Sequence, residues 1–423
     1  MFVYVYNVPF RFLPVSSGKL LAFMGILLFI VKKKKKVFLP LNMRTILWGW
    51  IILICYSCFL VIGKRTYDFS LIYSELLFVI EHLLGAVTIV YLLIKVGKNN
   101  INSIMRMLVN VITLQAVIML LSISFPYIKD FLFSIVKEDT RMLISDRYGG
   151  FRGVGLAAST TYDLAVLQSI GLMIIPLLYK AQMKGFFFLK FVVIILSVFI
   201  SGRTGFIGII LSFVLVLLSC IGSNFTLISK TTLIRLLKGC ILGCGILFII
   251  ALLCYRIMSA DLKFMIDEYM IPYAFEMFIS YEKTGAIETH SSNYLIDWYS
   301  NIPHTDVIFG DGRYVDPFDS QFYYLGIDAG FLRHYFYFGL IGTFFIMFIY
   351  SKIFSSVLYY NRNNKLQFCF FIFLIIYFIL SHVKGDFLLG SNMNIKVLLL
   401  FYCFYNFSNY FNEKNSSNST CIK

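Results

Sequence analysis

Charge is what this 423-residue chain has least of: only 14% of its residues are Asp, Glu, Lys or Arg, where a soluble protein carries about a quarter. Its 22 acids are outnumbered by 37 bases. The nine cysteines (Cys55, Cys58, Cys220, Cys240, Cys244, Cys254, Cys369, Cys403 and Cys421) all fall in apolar runs, basic loops or the tail. A disulfide-stapled outer domain is thereby excluded. Cys55 and Cys58 have CxxC spacing, but within an apolar helix they read as small packing residues. Short alternating strands are missing too, which excludes a polar-lumen β-barrel. The opening "MFVYVYNVPFRFLPVSSGKLLAFMGILLFIVKKKKK" puts its charge after the apolar run. That is the reverse of a secretory signal, so it reads as a retained anchor. A metal site has little to stand on. Asp311, Asp316 and Asp319 fit no EF-hand spacing, and "GKRTYDFS" offers Asp68 alone where an Asp-x-Asp pair would be needed.

What is present is apolar: 59% hydrophobic and 18% aromatic residues, with a mean hydropathy of +0.81. Such a chain belongs in a membrane. A span needs about 20 apolar residues, somewhat fewer with snorkelling ends. By that rule eleven runs qualify, centred on residues 20–31, 46–63, 70–94, 106–125, 161–179, 186–200, 206–221, 240–255, 334–350, 368–383 and 387–405. The expected fold class is an all-α polytopic membrane protein of eleven, or twelve, helices. Basic loops stay in the cytoplasm. Lys32–Lys36 with Arg44, Lys95/Lys98/Arg106, Lys180/Lys184, Lys230/Arg235/Lys238 and Lys352/Arg362/Lys365 alternate onto one side, which holds a single acid, Glu413. The amino end is therefore expected outside and the 408–423 tail inside. The formal charge of +15 is mostly this bias, read as topology and anionic-lipid contact and not as nucleic-acid binding.

The expected division is residues 1–255 with eight spans, a large outer loop 256–333, and 334–407 with three spans. The other sizeable outer segment is 126–160. The large loop carries twelve acids against five bases and is rich in Tyr and Phe, with Trp298. Aromatic faces beside carboxylates suit sugars, although a loop lying on lipid headgroups has the same composition.

Against this acidic background the outward cations stand out. "RYGGFRGVGLAAS" offers Arg147 and Arg152, and "SGRTG" offers Arg203 in a tight turn between two spans. "DAGFLRHYFYFGLIG" offers Arg333 and His334, and "SHVKGDF" offers His382, Lys384 and Asp386. Cations clustered at membrane level point to a functional site, and a guanidinium fork matches phosphate oxygens. A lipid-linked phosphate is the ligand such a place would meet. Headgroup snorkelling explains any one of these arginines equally well. Inside the third span, Glu75 and His82 lie seven apart, on one helical face, with Glu81 beside them. Buried ionisable residues mark proton or substrate paths, which keeps a transporter open as the rival class.

At "RGVGLAAS", "SGRTGFIG", and "FGDGR" followed by "DAGFLRHYFYFGLIG", the chain resembles the bacterial O-antigen and capsular polysaccharide polymerases, relatives of the O-antigen ligases. Length and topology agree over nearly the whole chain. Members usually begin inside with an even number of spans, and this chain departs from that. The resemblance implies a glycosyltransferase of the bacterial inner membrane with its active site facing the periplasm. It would transfer a growing glycan from undecaprenyl pyrophosphate to the next lipid-linked repeat unit, with no cofactor and no metal. A chain-length regulator is an implied partner. By motif position, Arg152, Arg203, Arg333 and Lys384 would hold the pyrophosphate, with Arg203 and Arg333 also offsetting the charge that develops. His334 or Asp328 would take the proton, with His290 a third option and His304 reading as loop. A ligase and a lipid-linked oligosaccharide flippase remain the alternatives.

Overall fold

The computed structural model describes residues 1–31, 40–137, 155–159, 162–178, 184–221, 245, 252, 255–256, 258–286, 288–303, 305–319, 322–389 and 393–420. Among these the chain is helical, and its extended pairing is limited to two isolated bridges, Phe10 with Val136 and Val315 with Tyr323. In order the helices are α1 (Phe2–Tyr6), α2 (Ser17–Val31), α3 (Leu41–Gly63), α4 (Ser70–Lys95), α5 (Ile101–Ser124), α6 (Pro126–Ile135), α7 (Tyr162–Leu178), α8 (Lys184–Ser201) and α9 (Gly205–Ile221). The loop before the last spans holds α10 (Ala260–Met265), α11 (Glu276–Thr284) and α12 (His290–Ser300). The chain then runs through α13 (Gly330–Asn361), α14 (Lys365–Lys384) and α15 (Met393–Thr420).

Helices occupy ten of the eleven apolar runs; the 240–255 run falls almost wholly outside the described residues. Five of them, α3, α4, α5, α13 and α14, are long and apolar enough to cross a membrane. At 1.5 Å per residue, the 23 residues of α3 reach about 35 Å, a bilayer's hydrocarbon core with margin. This is a membrane protein. Shorter apolar helices cover Ser17–Leu28, Tyr162–Leu178, Phe186–Ser201 and Gly205–Ser219. The spanning helices keep large apolar side chains on the outside, among them Phe59 and Phe344, 70% and 76% exposed. Water would penalise such a surface, whereas lipid covers it.

The centre is built from α7 and α15. Leu164 to Met173 of α7 and Val397 to Phe404 of α15 are buried on every side, as expected of helices that are apolar all round. Ends are set by local chemistry. Asn100 caps α5 by accepting from Asn102 N, and Asn364 caps α14 by accepting from Gln367 N. A capping box of Thr289 and Ser292 starts α12, satisfying amides a helix cannot pair by itself.

The run expected as the ninth span contains a break. Gly339 interrupts α13 at φ 64°, ψ −165°, so residues 330–338 form a separate short helix and the long apolar rod follows the break. The tail is helical as far as Thr420, where α15 ends. One expectation needs correction: Glu75 and His82 do not share a face. A π turn, Phe78–Leu83, begins between them and takes in His82, and its wider turn rotates the residues along it. Glu75 accepts a 2.6 Å hydrogen bond from Ser57 of α3, whereas Glu81 faces Lys396 of α15.

The break at Gly339 is held by the "FGDGR" loop. Asp311 N and Gly312 N donate to the carbonyls of Phe336 and Tyr337 at 2.6 and 3.1 Å, while Leu340 N and Ile341 N donate to Val307 O and Ile308 O at 2.9 and 3.3 Å. Four backbone groups beside the break are thus paired within protein, as non-helical backbone at membrane level requires. The approach is so close that a Cβ on Gly339 would stand 2.3 Å from Ile308 O, and one on Gly310 2.4 Å from Gly339 N.

Candidate functional site

Asp386, in the bend after α14, is the hub. Its Oδ1 accepts from Leu388 N and Leu389 N at 3.2 and 2.9 Å and from His334 Nε2 at 3.1 Å. Its Oδ2 accepts from Tyr314 OH at 2.6 Å. The carboxyl is fully buried. Burial pushes its pKa up, but the neighbouring His334 and Arg333 outweigh this and hold it well below the ordinary carboxylate range. An ionised carboxylate only accepts, so the proton between the two groups sits on His334 Nε2. That leaves Nδ1 as the ring nitrogen able to take a proton. Burial, then the Asp386 charge, raises the Tyr314 hydroxyl well above its usual range, so it stays a donor.

The His382 ring stands beside His334, centroids 4.7 Å apart. Its Nδ1 accepts from Phe387 N at 3.1 Å, while its buried Nε2 has no partner. This closeness depends on Gly330, where a Cβ would lie 2.6 Å from the His382 ring and 2.5 Å from Gly385 O. "DAGFLRH" and "SHVKGDF" are thus folded onto each other by a residue without a side chain.

Arg333 has only 5% of its side chain exposed. Its guanidinium carbon lies 3.6 Å from the centroid of Tyr323 and 4.0 Å from that of Tyr314. Nη1 is 3.5 Å from Asp328 Oδ1, a long contact, and the buried Nε has no partner. Two aromatic faces stabilise a cation but do not neutralise it. A buried charge with unsatisfied donors is costly unless an anion completes it.

Asp328 is 39% exposed along its side chain. Desolvation, reinforced by Asp386, raises its pKa to about 6, against the pull of Arg333 and Lys384. Folding therefore favours the protonated form. The associated stability is present below the ordinary carboxyl pKa and lost as pH rises through about 6. If Asp328 acts as a general base, the rate of the reaction it serves should fall about tenfold per pH unit below 6, measured as a pH–rate profile of the purified protein. Loss of that limb in Asp328→Asn, with residual activity flat across pH 5–8, would assign it to this carboxyl. An unchanged limb would assign the proton elsewhere.

Of the residues expected at the site, the structure brings together Arg333, His334, Asp328 and Lys384, with His382 and Asp386. Arg203 lies in the turn between α8 and α9, where Gly205 N donates to Gly202 O at 3.1 Å. There it is ion-paired with Glu276 and has Tyr273 stacked 4.5 Å from its guanidinium carbon. The two places share a neighbour in Tyr162. Its backbone adjoins Gly202, and its ring lies against Gly385 and 5.0 Å from Phe387. Arg147, Arg152 and His304 lie outside the described residues, as does the His290 side chain. Tyr314 and Tyr323 were not legible as site residues, because nothing in a Tyr-rich loop marks which rings meet an arginine.

By spacing alone His334, His382 and Asp386 can gather round a metal ion, their donor atoms lying within 4.8 Å of one another. Yet His382 Nδ1 and both Asp386 oxygens already accept hydrogen bonds, so the trio reads as a hydrogen-bonded hub. Two of the acids weighed for a metal, Asp316 and Asp68, act as loop braces. Asp316 Oδ1 accepts from Phe318 N and Asp319 N at 2.8 and 3.2 Å, and Asp68 Oδ2 accepts from Tyr314 N and Val315 N at 2.6 and 3.0 Å.

No family model matches this chain, and neither a curated protein nor a solved structure does.

Proposed function

We propose that this protein is a membrane glycosyltransferase of the polysaccharide polymerase type, working on pyrophosphate-linked glycan at the outer face of the bacterial inner membrane. The observation that carries the reading is Arg333: buried, sandwiched by two tyrosines, with an unpartnered Nε, and next in sequence to a histidine already oriented by a carboxylate. A lipid pyrophosphate would give that donor an acceptor. The acceptor hydroxyl attacks the anomeric carbon, the bond from that carbon to the pyrophosphate oxygen breaks, and the hydroxyl proton passes to His334 Nδ1 or to Asp328. Arg333, with Lys384 at the end of α14, offsets the charge left on the departing pyrophosphate. Asp386 acts through His334 as a positioning residue, as carboxylates do for imidazole bases.

A second reading has its own observation. Lys396 Nζ lies 2.6 Å from Glu81 Oε1, both fully buried, and His82 beside them has two unpartnered ring nitrogens. Ion pairs at this depth occur in transporters. Deleting the protein from its host separates the classes. Polymerase loss should leave single repeat units exported but unjoined, seen as one-unit surface glycan on gels. Units trapped on the cytoplasmic leaflet would identify a flippase, and full-length carrier-linked polymer without its final acceptor a ligase.

A further inference from the structure

The segment 260–284 carries a surface that the site does not use. Phe264, Tyr269, Phe275, Met277, Phe278 and Tyr281 are all exposed, between 42% and 72%. In a loop whose net charge is acidic, this is a concentrated apolar face. Its height is fixed by the rest of the fold. Tyr273 stacks on Arg203 and Glu276 is ion-paired with it, and Arg203 sits in the three-residue turn joining the apolar helices α8 and α9. Met270 also packs against the main core. The segment therefore lies level with the outer ends of two membrane helices.

We infer that residues 260–284 form an interfacial platform whose aromatic face is seated in the headgroup region of the outer leaflet, with Arg203 as its pin. The occupant is phospholipid. Aromatic and Met side chains at this level, with Lys263 and Lys283 beside the acids Asp267, Glu268 and Glu282, suit a segment that lies along a bilayer instead of crossing it. The platform also gives the guanidinium of Arg203 a duty in the resting protein: its carboxylate partner rides on the lipid-seated segment. This inference rests on the reading of α8 and α9 as membrane-embedded.

An environment-sensitive fluorescent amino acid, introduced separately at positions 278, 281 and 283 of the full chain in nanodiscs, tests it. The probes at 278 and 281 share one face of α11 and should be quenched at least several-fold more by phospholipid brominated near the headgroup than by aqueous iodide, and the probe at 283, on the opposite face, the reverse. A fourth probe at Ile210, 64% exposed on α9, reports on the underlying reading through lipid brominated deeper in its chains. If 278 and 281 are quenched by iodide and not by lipid while 210 is quenched by lipid, the platform is wrong and the embedded hairpin stands. If 210 is also unquenched by lipid, both fall. Two platform positions guard against one substitution disturbing the fold.

Discussion

Replacing Arg333 by lysine is expected to abolish long glycan chains while leaving the amount of membrane-inserted protein unchanged. Lysine keeps the positive charge but not the flat, delocalised surface that stacks on Tyr314 and Tyr323, nor the fork that can donate two parallel bonds to a phosphate. Losing one transition-state contact of this kind costs about 2.7–4 kcal/mol, on the order of 10²–10³ in rate. Arg333→Gln should be no better, since it removes the charge as well. Chain length on glycan gels, read beside quantitative immunoblots, is the measurement. Normal chain lengths in Arg333→Lys at equal protein level would remove this arginine from the reaction and make its aromatic clamp a structural feature only.

The second large effect concerns folding. Gly339→Ala should deplete the folded protein, because φ 64° with ψ −165° is a conformation essentially reserved for glycine. A Cβ there also meets the backbone oxygen of Ile308 at 2.3 Å, an atom that cannot swing aside. Gly326→Ala is the matched comparison. It too has positive φ, 67°, but nothing lies within 4 Å of the added carbon, so the strain of a left-handed residue acts alone, about 1–2 kcal/mol. The monodisperse fraction after detergent extraction and its melting temperature should fall modestly for Gly326→Ala and collapse for Gly339→Ala. Equal tolerance of the two would mean that α13 is continuous through 339, and that Arg333 and His334 do not lie on a separate short helix.

Membrane residence and most helix positions were legible in the sequence because apolar runs of span length leave the backbone no other way to satisfy its own hydrogen bonds. The site was half legible. Arg333, His334, Lys384 and Asp386 stood out as charges at apolar helix ends, where a charge must be justified. Their grouping was not visible, because α13 and α14 place His334 and Asp386 52 positions apart. Whether the ends meet depends on how closely Gly330 lets the backbones approach. Glu75, Glu81 and His82 show the limit of reading by period. The seven-residue spacing is correct for an α-helix, but one π turn redirected Glu81 to Lys396, a partner more than 300 positions away that drew no notice as a lone lysine in an apolar run.

By itself, then, the sequence determined the solvent and most of the helices, since each follows from short-range composition and from the cost of burying charge in lipid. Only the tertiary structure decided which charges are partnered. It gave Arg203 a carboxylate from the 256–333 loop, left Arg333 between two rings with its Nε unpartnered, and turned Asp386 into the acceptor that fixes the tautomer of His334. The physical reason is that pairing of ionic groups is settled by distances of a few ångströms between helices, and those distances are set by glycine contacts and helix breaks that no local pattern of residues encodes.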